Sequence, residues 1–203
     1  MPGYVSKGLK RFEHDMTKRR QDQPHPHNKP NYGALVQYAT ATDESPTINS
    51  KKKKFIQQVL GTFMYYARDI DCTMLVTLIA IAADQARTLE ATMAKARQFL
   101  DYAASQEDTV VTYKDSNMVL AVHSDTSYLS EPKARSRAGG NFSMSNYDTF
   151  PANNGAVLSL AQIIKSVMTS AAETEIRAMF INACEAVPQY KFCIMQEILT
   201  AQC

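Results

Sequence analysis

Two acidic residues stand where they could do metal chemistry. In MVLAVHSD an apolar, β-branched stretch closes on Asp125, and alternation puts Val119, Ala121, His123 and Asp125 on one strand face. Glu175 follows the capping sequence Ser170-Ala-Ala-Glu173, so it lies in the first turns of a helix, where Glu173 has a local capping role and Glu175 has none. A strand-end Asp and a helix-opening Glu make a workable pair of oxygen ligands for Mg²⁺. Two such ions, roughly 3.5–4 Å apart, clamp a scissile phosphate in metal-dependent nucleases, normally with three or four carboxylates. Lys133, Arg135 and Arg137, read as a loop before Gly139 and Gly140, could hold a nucleic-acid backbone. Each feature has a plainer reading: Asp125 as the start of a turn, the basic trio as a solvated hairpin loop.

A second basic group, Lys51, Lys52, Lys53 and Lys54, opens a predicted helix. Positive charge there opposes the helix macrodipole. It reads as a phosphate contact, as a nuclear address, or as a solvated face. Residues 1–60 carry 11 Lys and Arg against 5 Asp and Glu, while the rest carry 11 against 15. A basic front and an acidic back suit a nucleic-acid handler. His14, His25 and His27 lie near one another, but the PHPHNKP stretch reads as extended loop with no carboxylate or Cys to complete a metal site. Cys72, Cys184, Cys193 and Cys203 form no C-x-x-C pair, which fits reduced thiols. The sequence has no G-x-S-x-G, Walker loop, G-x-G-x-x-G or H-E-x-x-H, which removes support for serine-hydrolase, nucleotide-binding and zincin readings.

The elements that must position these residues follow from periodicity. Residues 1–50 are rich in Pro, with one short helix expected from Val5 to Met16. Helices are predicted from Lys51 to Arg68 with Ser50 as N-cap, from Thr73 to Ala86, and from Thr88, the N-cap, to Ser105. Strands are predicted at Thr109–Tyr113, Met118–Ser124, Ser136–Ser145 and Ala156–Gln162. Gly139 and Gly140 inside the third of these signal a bulge or a close approach. The helix capped by Ser170 is expected to bury Ile176, Met179, Phe180 and Ala183 and to stop at Pro188. The longest apolar run, Met74 to Ala83, is too short to span a bilayer, and the N-terminus does not read as a secretory signal.

The stretches HSDTSYLSEPKARSRAGGNFSMS (His123 to Ser145) and NNGAVLSLAQIIKSVMTSAAETEIRAMFINACEAVP (Asn153 to Pro188) closely resemble the ribonuclease H domain of copia-type LTR retrotransposon polyproteins. Upstream, residues 59–103 resemble the helical segment that joins polymerase to ribonuclease H in that family, and MPGYVSKGLKRFEH and NYGALVQYA resemble the end of its polymerase region. The resemblance implies an α/β fold, a ribonuclease H-like mixed sheet, here incomplete, preceded by a helical segment. It implies three parts: a reverse-transcriptase tail over 1–50, extended and partly disordered, a connecting helical segment over 51–106, and a truncated ribonuclease H-like domain over 107–203. It further implies dependence on Mg²⁺ or Mn²⁺ and cleavage of RNA in RNA–DNA hybrids, with Asp125 and Glu175 as the matching catalytic and metal-binding carboxylates.

The sequence also departs from that family. The T-D-N-S-like stretch carrying the third carboxylate is absent, as is the polymerase's Y-x-D-D. The expectation is therefore a fragment with impaired cleavage, located in the cytoplasm or nucleus and without a membrane partner. A partner chain completing the domain is one further expectation. The alternative is a non-catalytic module that binds nucleic acid or protein, with Asp125 structural.

Overall fold

The structure, a computed structural model, describes residues 1–14, 20–26, 44–106, 109–146 and 152–200, with side chains described as far as Lys191 in the last helix. His27 and much of the Pro-rich segment lie outside the described residues. The chain divides into two units, residues 1–110 and 111–203. It is a mixed α/β protein, and no described helix is long and apolar enough to cross a membrane.

The first unit is helical. It comprises α1 (Tyr4–Arg11), α2 (Ser50–Asp69), α3 (Leu75–Ala83) and α4 (Glu90–Ser105), with 3₁₀ turns at Cys72–Met74 and Asp84–Arg87 on either side of α3. The predicted helix over 73–86 is therefore three short pieces. Its central piece buries Leu75, Thr77, Leu78 and Ile81. The core is aromatic at its centre: Phe63 and Phe99, both fully buried, meet edge to face with ring centroids 5.2 Å apart.

The N-terminal helix belongs to this unit rather than to a separate tail. Val5 and Leu9 are buried, and Tyr4 stacks on Tyr66 while its hydroxyl donates to the Thr62 carbonyl at 2.7 Å. Gly8 lets α1 approach α2, because a Cβ there would lie 3.1 Å from the Phe63 ring. At the end of α1, His14 Nε2 lies 2.8 Å from Asp101 Oδ1 on α4.

Two caps fall one residue from where the sequence suggests. Asn49, not Ser50, accepts from the Lys52 backbone N–H, and both residue types suit that position. Thr88 donates its hydroxyl to the Gln85 carbonyl instead of capping α4, and Leu89 N–H is satisfied by Thr92 Oγ1.

The second unit is a three-stranded antiparallel sheet of order β1-β2-β3 with one helix on a single face. The strands are β1 (Val119–Glu131), β2 (Arg135–Ser145) and β3 (Ala156–Ile163), and the helix is α5 (Ala171–Thr200). Residues Thr109 to Tyr113 form no strand. Tyr113 instead lends its hydroxyl to the Ala156 carbonyl at 3.1 Å. The β1–β2 hairpin turns at residues 132–134, where Lys133 and Ala134 take positive φ.

α5 contradicts the expected orientation. Its buried residues include Thr174, Ala178 and Asn182, spaced four apart, while Ile176, Met179 and Phe180 are 69%, 62% and 57% exposed and Ala183 is also exposed. The sheet beneath explains this. Ala138, Leu160, Ile164 and Met168 already fill the space, and Gly140 admits the helix closely only where the helix presents short side chains. α5 also runs through Pro188 to Thr200. The carbonyl that Pro188 cannot bond belongs to the exposed residue Cys184, where water can take its place. Replacing Ile176 and Phe180 together by Lys is expected to change stability by less than about 1 kcal/mol. A buried stripe would lose more than about 3 kcal/mol, so urea unfolding of the double variant decides the orientation.

Candidate functional site

The register of the sheet sorts the site residues by face. Across the three strands Ser124, Gly140 and Leu160 form one row and Thr126, Ala138 and Gln162 another. Both rows face α5. Asn182 Nδ2 donates to Ser124 Oγ at 2.7 Å and to the Gly139 carbonyl at 2.9 Å, while Thr126 Oγ1 donates to Glu175 Oε1 at 2.7 Å. The alternate rows, His123–Asn141–Ser159 and Asp125–Gly139–Ala161, face the other way.

Asp125 is thus neither at the end of a strand nor at the start of a turn. It lies inside β1 opposite Gly139, exposed, with its side chain on the sheet face away from α5. Glu175 sits on α5 over the first face and touches Thr126, the neighbour of Asp125. The two elements meet as the sequence suggests, but strand alternation puts the two carboxylates on opposite faces. A shared Mg²⁺ or Mn²⁺ needs both on one side, so this arrangement does not fit the cation that the resemblance implies, and no chemical step is derived through it. Among the described residues no three His, Cys, Asp or Glu side chains gather into a metal-binding group.

The helix start follows the sequence more closely. Ser170 Oγ accepts from Glu173 N–H at 3.1 Å, and Glu173 Oε2 reaches back to Thr169, accepting from its backbone N–H at 2.6 Å and its hydroxyl at 2.7 Å. The Thr169 backbone N–H, then its hydroxyl, hold the Glu173 carboxyl below its ordinary pKa. Glu173 is occupied by its cap, which leaves Glu175 as the acid that reaches the sheet.

The basic residues separate into three kinds. Lys133 stands exposed on the hairpin turn, and Arg135 leans back to donate to the Pro132 carbonyl at 3.0 Å. Arg137 lies in β2 and is buried: its Nε and Nη2 meet Glu131 Oε1 at 2.8 and 2.7 Å, and Nη1 points to the Ala161 carbonyl. It is a structural ion pair across the hairpin and cannot grip phosphate without breaking that pair. In the lysine run, Lys51 and Lys54 are exposed and Lys53 is half-buried, while Lys52 is paired with Glu90 on α4. That pair and the Asn49 cap offset the unfavourable charge at the start of α2.

Sequence reasoning missed Asn182 and Thr126. The available signal for Asn182 was an amide within the apolar stretch Ala178–Ala183, matched to the Gly139-Gly140 pair already read as a close approach. Its side chain is 2% exposed, and its Oδ1 has no hydrogen-bond partner among the described residues. A Cβ on Gly140 would lie 2.1 Å from that oxygen. The geometry builds a polar latch between helix and sheet rather than a reactive centre. Compared with protein-family models, with curated proteins and with solved structures, the chain gives no match in any of the three.

Proposed function

We propose that this chain derives from a copia-type reverse transcriptase and ribonuclease H polyprotein, and that it binds RNA–DNA hybrid while cleaving it weakly or not at all. The ancestral activity is endonucleolytic cleavage of the RNA strand with Mg²⁺ or Mn²⁺. The observation that carries this reading is an antiparallel β1-β2-β3 meander followed by α5, whose opening turns lay Glu175 on β1 one residue from Asp125. That is the order of elements the resemblance leads one to expect. Impairment follows from the opposed faces of Asp125 and Glu175. Hybrid binding would rest on Lys51, Lys53, Lys54 and Lys133, whose side chains remain in contact with solvent. Arg135 contributes at the edge of the hairpin, and Arg137 does not contribute. The same reading puts the chain in the cytoplasm or nucleus.

The test is hybrid binding by the full chain across a salt series, with cleavage followed in the same samples. Affinity should fall as salt rises. Replacing Lys51, Lys53 and Lys54 by Gln, with the Lys52–Glu90 pair left in place, should flatten the slope of log affinity against log salt by up to about 0.9 for each phosphate contact removed, the figure for duplex DNA. An unchanged slope removes the lysine run from the interface, and absence of hybrid binding overturns the nucleic-acid reading. Brisk cleavage abolished by both Asp125→Asn and Glu175→Gln would overturn the assignment of weak activity.

A further inference from the structure

The face of the sheet turned away from α5 carries its own group of donors. His123 and Asp125 alternate on the same face of β1, which puts their Cα atoms about 6.8 Å apart at the usual rise of an antiparallel strand. Asn141 stands directly across from His123 on β2, within about 5 Å at the level of Cβ. Beside Asp125 the cross-strand partner is Gly139, so no side chain fills the space next to the carboxylate. His123 and Asp125 are exposed, Asn141 is half-buried, and none of the three is engaged by another described residue. The nearest cation on this face, Arg137, is held by Glu131 and by the Ala161 carbonyl.

We infer that His123, Asp125 and Asn141 form a divalent-cation site on the exposed β1 side of the sheet face turned away from α5. The set offers one imidazole nitrogen, one carboxylate and one amide oxygen. Imidazole with oxygen donors suits borderline first-row ions such as Zn²⁺ and Co²⁺ better than Mg²⁺, which prefers oxygen ligands alone. Solvent water completes the coordination on the outer side. A regular strand spaces His123 and Asp125 for two-point attachment, and the hairpin register brings Asn141 alongside without any rearrangement of the backbone. Asp125 then takes its partners from its own face and not from α5. The site stands independently of the hybrid-binding proposal, because it uses neither Glu175 nor the lysines.

Titration of the full chain with Co²⁺, followed by paramagnetic broadening of backbone amide signals and by calorimetry with Zn²⁺, tests the site directly. Broadening should centre on residues 123, 125 and 141. His123→Ala and Asp125→Asn should each weaken Zn²⁺ binding by about tenfold or more, since loss of even an outer partner of a metal ligand costs 10–100-fold. Glu175→Gln should leave binding unchanged. His123, Asp125 and Glu175 are all exposed, so these variants should fold as the parent does. Binding that survives His123→Ala but is lost in Glu175→Gln would overturn the site, as would the absence of saturable binding or broadening centred elsewhere. None of these outcomes depends on whether the chain binds hybrid.

Discussion

Arg137→Ala should destabilise the sheet unit by about 3–5 kcal/mol, the usual cost of removing one partner from a buried ion pair. The Arg137 and Glu131 side chains are 8% and 11% exposed, with Nη2 and Oε1 2.7 Å apart. Arg137→Ala leaves Glu131 with its charge and without its two guanidinium hydrogen bonds, and it strips the Ala161 carbonyl of a donor. The double variant Arg137→Met, Glu131→Leu should recover much of the loss, because no isolated charge is then left in the hairpin. Denaturant unfolding of Arg137→Met, Glu131→Leu and their double variant, read from a probe in the sheet unit, measures the coupling. Additive losses in the double variant would mean that the pair carries no specific coupling. The same experiment bears on function: Arg137→Met should leave the salt slope of hybrid binding unchanged, whereas a phosphate-gripping arginine would reduce it.

Gly140→Ala should cost about 2–3 kcal/mol, the range for overpacking a filled contact. The added Cβ would stand 2.1 Å from Asn182 Oδ1 and 2.9 Å from its Cγ, so the amide must move. Movement threatens the bonds from Asn182 Nδ2 to Ser124 Oγ and the Gly139 carbonyl, which tie α5 to both β1 and β2. Asn182→Ala in the Gly140→Ala background should restore part of the stability by removing the clash, at the expense of those two hydrogen bonds. Gly139→Ala makes a sharp comparison. A Cβ there meets only the Asp125 carbonyl, at an ordinary 3.6 Å, so it should be tolerated. Thermal melts of the three variants beside the parent follow directly. Equal losses at Gly139 and Gly140 would show that the strand's dislike of added bulk, and not the helix contact, sets the cost.

The sequence was enough to find most elements of the chain. Its 3–4 spacing of Phe55, Val59, Phe63 and Tyr66 reads as a helix, and Met118–Ser124 and Ala156–Gln162 read as strands, as the structure has them, whereas the more β-branched Thr109–Tyr113 forms none. The start of α5 was legible too, because Ser170 and Glu173 act over a few residues and need no distant partner. Composition also identified the acids and bases that chemistry could use.

The orientation of those residues was decided only in the folded molecule. A strand extended by a few residues moved Asp125 from an end to an interior position, and period-two alternation then assigned it a face. The outward turn of Ile176, Met179 and Phe180 came from the small residues that the sheet demands of a helix seated on Gly140. Arg137 became a buried pair because a hairpin turn at residues 132–134 brought the Glu131 side chain, two residues out of register, within reach of its guanidinium. Local pattern sets which backbone conformation a segment takes. Which way its side chains point depends on register and helix rotation, and those are chosen by packing between residues far apart in the chain.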